Sequence, residues 1–208
     1  MKAVLKNDWY SVRYLILILI VISVFSSWLN CVTPEEGYFN RASPLIYAAF
    51  LPPALYMMDE RVKWGRFAAA LTGKRCDYVN SKYISVIFSL IADMTVMTIC
   101  HFIIKLSIGK NDPIEHLPVL VLGLSASLIM CSILLPITTA FGSKAGIVSF
   151  FITITLCGVV AGYYDAMIED GNASLPDLGQ SLIFLATAVI IYILSWLISV
   201  LIYSHREL

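Results

Sequence analysis

The sequence predicts an all-α integral membrane protein with six transmembrane helices, and two observations carry that prediction. Hydrophobic residues make up 59% of the 208 residues and charged residues 13%, whereas soluble domains are near half apolar and a quarter charged. The apolar residues also fall into uncharged runs close to the ~20 residues that a helix needs to cross the hydrocarbon core. We therefore expect a bilayer to surround most of the chain.

Six uncharged runs qualify as spans, and together they predict a single transmembrane domain over residues 1–208. The second run is short and contains three prolines, so it is predicted to be kinked or to extend outward through Tyr38. Only residues 142–144 separate the fourth run from the fifth, which predicts a tight antiparallel pair of helices. The predicted spans are 14–32, 43–58, 83–104, 117–141, 145–164 and 182–203.

Orientation follows from the lysines and arginines in short loops, which concentrate on the cytoplasmic side of a membrane protein. With the N-terminus inside, 11 of the 14 basic residues fall in inner segments and 3 fall in outer ones. Both termini are therefore predicted to be cytoplasmic. The three outer residues are Arg41, Lys105 and Lys110.

Residues 59–82 form the most charged stretch and hold nine of the chain's acidic and basic side chains. Within it, Trp64, Phe67 and Leu71 recur at helical spacing and so share one helix face. An amphipathic helix on the cytoplasmic surface, between the second and third spans, is predicted. Its residues alone leave two roles open, which are anchoring to anionic lipid and docking of a partner protein.

Gly73 and Lys74 resemble the end of a phosphate-binding loop, but the rest of that pattern is missing. The pattern requires a glycine five residues before Gly73 and a Ser or Thr after the lysine, and those positions hold Ala68 and Arg75. The sequence also lacks an HExxH pattern and a Cys/His metal spacing. We expect no catalytic residues, metal site or nucleotide site in this chain, so ATP and Mg would bind to a partner subunit.

Two short motifs resemble those of bacterial ABC-2 type transporter permeases, and more narrowly the small six-span permeases of phenol-soluble-modulin exporters. The first runs from the end of the second span to the start of the third, and the second lies between spans four and five. Ala140 departs from the pattern, because typical members carry a basic residue there. The first motif comprises Asp59-Glu60, Trp64-Gly65-Arg66-Phe67, Lys74-Arg75 and Tyr78-Val79-Asn80-Ser81-Lys82-Tyr83; the second comprises Leu135-Pro136-Ile137, Ala140-Phe141-Gly142 and Lys144.

The resemblance implies the transmembrane subunit of an ABC exporter in the bacterial plasma membrane. Such a subunit pairs with a second copy of itself or a similar permease, lies in membrane lipid, and has no nucleic-acid partner. It moves amphipathic or hydrophobic cargo, of the cytotoxic or antimicrobial peptide type, by alternating access. A separate cytoplasmic ATPase subunit docks on a coupling helix, whose residues here would be Glu60, Arg61, Lys63, Trp64, Arg66, Phe67 and Leu71.

Asp93 is the one acidic residue in the middle of a predicted span, about 15 Å along the helix from Tyr83. Met97 and His101 follow at four-residue steps and share its face. A charge at that depth is costly and usually faces a bundle interior or a water-filled path. Two interpretations stay open: a polar point on a translocation path, or an aspartate hydrogen-bonded to a Ser or Thr of a neighbouring helix.

Gly158 and Gly162 form a GxxxG pattern in the fifth span, which permits close approach of another helix. That helix could belong to a second copy of the chain or to the same chain. As a whole, the sequence also leaves an alternative function open: a non-transporting membrane protein, either an intramembrane enzyme using Asp93 and His101 or a sensor or immunity partner.

Overall fold

The computed structural model describes residues 2–32, 38–62, 64, 76–108, 117–170, 174 and 176–205. Within these ranges the chain is almost entirely helical. A 3-10 turn, Ala48–Phe50, joins the second helix to the third. The helices are α1 (Lys2–Val32), α2 (Tyr38–Tyr47), α3 (Leu51–Arg61), α4 (Cys76–Ile108), α5 (Leu117–Phe141), α6 (Ser143–Glu169) and α7 (Leu178–Ser204).

Four of the described helices, α4 to α7, are long and apolar enough to cross a membrane by length and composition. The apolar part of α1 is shorter and covers Arg13–Ser26, and the second predicted span is divided between α2 and α3. The all-helical membrane architecture agrees with the sequence prediction. The count of six spans and the cytoplasmic position of both termini stay predictions.

The prolines explain why the second apolar run forms two helices. Pro52 and Pro53 lie in the first turn of α3, where a missing backbone N–H costs little because those N–H groups have no partner within the helix. The helical segment also extends outward to Tyr38, as the sequence predicted. Leu45, Ala49 and Leu55 are fully buried, so this broken segment lies inside the bundle.

Helix α5 is the centre of the bundle, and α6 lies at its edge. Leu134 and Leu135 of α5 are fully buried, and the Ser127 hydroxyl donates a 2.6 Å hydrogen bond to the Leu45 carbonyl of α2. By contrast, Val160 of α6 is 68% exposed. Since a membrane helix can present apolar side chains to lipid, this surface needs no polar covering.

Several contacts bring both ends of the chain to the same end of the bundle. Asp8 of α1 is ion-paired to Lys82 of α4, and the rings of Tyr78 and Tyr203 stack with centroids 5.3 Å apart. Farther along, Ser23 of α1 contacts Asp93 of α4, so α1 and α4 run parallel. We call the end that holds Asp8, Asp59, Lys82, Ser143 and Tyr203 the charged end.

Candidate functional site at the charged end

A buried ion cluster joins α1, α3 and α4 at the charged end. Lys82 Nζ lies 2.6 Å from Asp8 Oδ1 and 2.5 Å from Asp59 Oδ2. The Tyr78 hydroxyl donates a 2.8 Å hydrogen bond to the same oxygen of Asp59. Because Tyr78 and Lys82 are four residues apart on α4, they lie on one face of that helix. We refer to Asp8, Asp59, Lys82 and Tyr78 as the charge cluster.

The charge cluster is buried, so its charged side chains require partners of opposite charge. The side chains of Asp8 and Lys82 are fully buried, and the Lys82 ammonium lies 5.0 Å from the centre of the Tyr78 ring, within the range of a cation–π contact. Unpaired charges in such a place would lose hydration without compensation. With both carboxylates ionised, the two carboxylates and one ammonium carry a net negative charge.

Asp8 is the less well satisfied of the two carboxylates. Its Oδ2 has no hydrogen-bond partner among the described residues, whereas Asp59 Oδ2 receives bonds from both Lys82 and Tyr78. Burial raises the pKa of Asp8 above its usual 3.8, although Lys82 acts in the opposite direction.

The sequence did not predict this cluster. Residues 59–82 were interpreted as the cytoplasmic segment between the second and third spans, and within that segment α4 begins at Cys76, so Lys82 is a buried helical residue. Asp59 is likewise buried, at 3% exposure. The four-residue spacing of Tyr78 and Lys82 was a usable signal for one helix face. Asp8 gave no comparable signal, because its partner is 74 positions away.

A second contact at the charged end joins the two motifs that carried the family resemblance. The Ser143 backbone N–H donates a 2.7 Å hydrogen bond to Glu60 Oε1, and the Ser143 hydroxyl also bonds to the Glu60 carboxylate. Ser143 is the first residue of α6. A carboxylate is favourable at a helix N-terminus, where N–H groups lack partners within the helix and the helix dipole is positive.

Gly142 makes this contact sterically feasible. Its backbone has φ 87° and ψ 179°, a region that is essentially restricted to glycine. A Cβ at this position would also lie 2.8 Å from Glu60 Oε1. The tight pair of α5 and α6 predicted from residues 142–144 is therefore present, and it depends on a glycine at the turn.

The structure describes only part of the predicted coupling helix. Glu60 and Arg61 end α3, and Trp64 is half-buried and packs against the main hydrophobic core of its own chain. The sequence interpretation had assigned Glu60 and Trp64 to contacts with a partner. In the structure both residues have contacts within their own chain. Four predicted coupling residues, Lys63, Arg66, Phe67 and Leu71, lie outside the described residues.

Asp93 lies deep between α1 and α4 and is 3% exposed. Its Oδ1 is 2.5 Å from the Ser23 hydroxyl oxygen, which is also 2.9 Å from the Leu19 carbonyl oxygen. One hydroxyl hydrogen cannot serve two acceptors at full strength. The Ser23 hydroxyl is therefore shared between the Leu19 carbonyl and Asp93, and it joins α1 to α4.

The other predicted path residues do not form a group with Asp93. Met97 is 2% exposed and packs with Leu45 and Leu120 in a separate small hydrophobic cluster. His101 is half-buried farther along α4. The described residues contain no group of three or more His, Cys, Asp or Glu side chains that could hold a metal ion.

Gly158 and Gly162 lie on an open part of α6. A Cβ at either position would meet no described atom of a neighbouring helix within 4 Å. Gly146, near the start of α6, is different, because a Cβ there would lie 2.0 Å from Thr138 Cγ2 and 3.2 Å from Pro53 Cβ. Close packing within the chain therefore occurs at Gly146 and not at the GxxxG pattern.

Comparison with known proteins identifies the family. A family model described as "ABC-2 family transporter protein" matches residues 3–204. No curated protein and no solved structure matches the chain at a significant level. The matched range includes all seven helices, the charge cluster and both motifs, and members of this family are the membrane subunits of transporters. The chain therefore belongs to the ABC-2 transporter family, as its two motifs predicted.

Proposed function

We propose that this family member is the permease subunit of an ATP-driven exporter in the bacterial plasma membrane. Two copies, or one copy and a similar permease, would form the path, and two cytoplasmic ATPase subunits would drive alternating access. The cargo would be amphipathic or hydrophobic, of the cytotoxic or antimicrobial peptide type. Family membership supports the permease assignment. The geometry of the charged end supports the proposal that an ATPase acts on the permease there.

The supporting observation is that the helix ends on both sides of residues 62–75 are held by contacts at the charged end. Helix α3 ends at Arg61 and α4 begins at Cys76. Asp59 is bonded to Tyr78 and Lys82, while the next residue, Glu60, is bonded to the start of α6. The end of α3 is thus bonded to both α4 and α6. A docked protein that moves the segment between α3 and α4 could therefore shift all three helices.

The basic residues around this segment would orient a docked protein. Arg61 is exposed, and residues 63, 66, 74 and 75 are also basic. Charged groups of this kind can orient a docked partner and raise its association rate. The apolar residues Phe67 and Leu71 could then occupy a hydrophobic groove of the partner, in the way that amphipathic helices bind.

Co-purification with an ATPase tests the proposal. The double variant Arg61→Glu/Arg66→Glu should lose the Walker A ATPase encoded by a neighbouring gene, while the permease still inserts into the membrane. Lys110→Glu, in a predicted outer loop, is the matched charge-reversal control and should retain the ATPase. Glu60 and Trp64 are poor test positions because their contacts stabilise the chain itself. Equal ATPase recovery with both variants, or no ATPase recovered with wild type, would contradict the proposal.

The open face of α6 supports the proposed pairing of two permeases. Val159, Val160 and Tyr163 are each at least 65% exposed beside Gly158 and Gly162. A second helix can approach such a surface closely, because glycines remove the side chains that would keep two backbones apart. We therefore propose that the GxxxG pattern faces a second permease.

Cargo is tested by its effect on ATP hydrolysis. With the permease and its ATPase reconstituted in lipid, an amphipathic helical peptide should raise the rate of hydrolysis. A control peptide of the same composition, reordered to remove the apolar face, should leave the rate unchanged. Stimulation by both peptides, or by neither, would argue against amphipathic peptide cargo.

A further inference from the structure

We infer that the charge cluster makes α1 part of the moving element, with Lys82 as the positioning residue that transfers movement of α4 to α1. The inference rests on the proposed function, and it assigns a role to Asp8, which lies outside both motifs of the family resemblance. Its basis is that one helix, α4, holds α3 and α1 through two adjacent side chains.

The first step concerns the flanks of residues 62–75. Asp59 is two positions before the end of α3, and Lys82 is six positions after the start of α4. These two residues are 2.5 Å apart, and Tyr78 adds a second bond from α4 to Asp59. The end of α3 and the start of α4 are therefore joined by two buried bonds, so these two helix ends move together.

The second step concerns α1, which packs mainly along α4. At the charged end, Asp8 receives its hydrogen bond from Lys82 at 2.6 Å. Deeper in the bundle, Ser23 meets Asp93 at 2.5 Å. Two polar contacts at different depths oppose both sliding and rotation of α1 against α4, since rotation would withdraw one or both buried partners.

The third step concerns the number of hydrogen-bond donors, which differs between the carboxylates of Asp8 and Asp59. Asp59 retains Tyr78 as a donor if Lys82 moves away. Asp8 has Lys82 as its ion-pair partner, and its second oxygen has no hydrogen-bond partner among the described residues. The Ser81 hydroxyl also lies near Asp8, but it donates its hydrogen to the Tyr78 carbonyl. During movement of α4, Lys82 therefore remains with Asp8 more readily than with Asp59. This difference makes Lys82–Asp8 the contact that moves α1.

Distance measurements on the intact permease–ATPase complex in lipid nanodiscs test the inference. Spin labels at Val21→Cys in α1 and at Phe88→Cys in α4, both exposed positions, are each paired with a label at Val148→Cys in α6, after the native cysteines are replaced. In wild type, ATP with vanadate should shift both distances. In Asp8→Asn, which leaves the neutral pair of Lys82 and Asp59, the α4–α6 shift should persist while the α1–α6 shift falls by at least half.

Ser127→Ala is the matched control, because it removes a buried interhelical hydrogen bond far from the cluster. It should leave both shifts unchanged. Asp8→Glu restores the charge and should recover part of the α1 shift. If Asp8→Asn leaves both shifts intact, or reduces both equally, the inference is wrong. If wild type shows no shift with ATP in either pair, the proposed ATP-driven function fails instead.

Discussion

The Glu60 carboxylate of α3 accepts a 2.7 Å hydrogen bond from the Ser143 backbone N–H at the first turn of α6. The two residues are 83 positions apart, and each lies in one of the two motifs that predicted the family. Their contact links the predicted coupling region to the turn between α5 and α6. A change at either motif is therefore expected to affect the other.

Gly142→Ala should destabilise the protein by about 1–3 kcal/mol, the cost of holding a non-glycine residue in this backbone region. The added Cβ would also crowd Glu60 Oε1. Thermal unfolding of the purified protein measures the effect. Gly158→Ala is the control, and it should be neutral or slightly stabilising because Gly158 is helical and a Cβ there meets open space. Equal losses in the two variants would refute the role of the Gly142 turn.

Lys82→Met should be the most damaging substitution in the charge cluster. It leaves Asp8 and Asp59 buried together without their cation, and breaking a buried ion pair in this way typically costs about 3–5 kcal/mol. Asp8→Asn should cost clearly less, since Lys82 and Asp59 remain as a neutral pair. The fraction of monodisperse protein after heating ranks the variants. The reverse order would show that Lys82 does not hold the cluster together.

The stability of the protein should contain a pH-dependent contribution from Asp8. Its pKa is raised in the folded state above the usual 3.8, so the folded form holds this proton more tightly than the unfolded form. Stability is then lost as the pH rises from about 3.8 through the raised pKa, and is constant above it. Unfolding midpoints measured across that range should fall less in Asp8→Asn than in wild type. Parallel curves would contradict the assignment.

Asp93→Asn should retain most of the stability of the wild-type protein. The amide oxygen of asparagine can accept a hydrogen bond from Ser23 as the Asp93 carboxyl oxygen does. Ser23→Ala should cost more, about 1–3 kcal/mol, because it leaves Asp93 buried without this partner. The same unfolding assay compares the two. Should Asn be the more damaging change, Asp93 carries a charge in the folded protein.

Gly158→Leu should weaken association of two permeases without lowering the stability of the single chain. The leucine would occupy the surface where we place a second helix, and a Cβ at this position meets no neighbouring helix of its own chain. Fluorescence energy transfer between labelled copies in vesicles reports the association. Val148→Leu, at an exposed position ten residues earlier on α6, is the control. If both variants associate like wild type, the second permease binds elsewhere.

The sequence by itself determined the features that depend on neighbouring residues in the chain. The uncharged run 117–141 has the same bounds as α5, because hydropathy is a local sum and a span needs a fixed length of apolar helix. The turn at residues 142–144 was also predictable, because three residues between two spans are too few for any longer connection. The two short motifs sufficed to identify the family.

Only the tertiary structure decided which charges are buried and which glycines are packed. Lys82 lies in a highly charged stretch, yet it is buried because α1 and α3 bring Asp8 and Asp59 to the same face of α4. Conversely, Gly158 belongs to a packing motif but lies open within the chain. The reason is physical: burial and ion pairing depend on partners that are distant in sequence, and no local pattern specifies where those partners will lie.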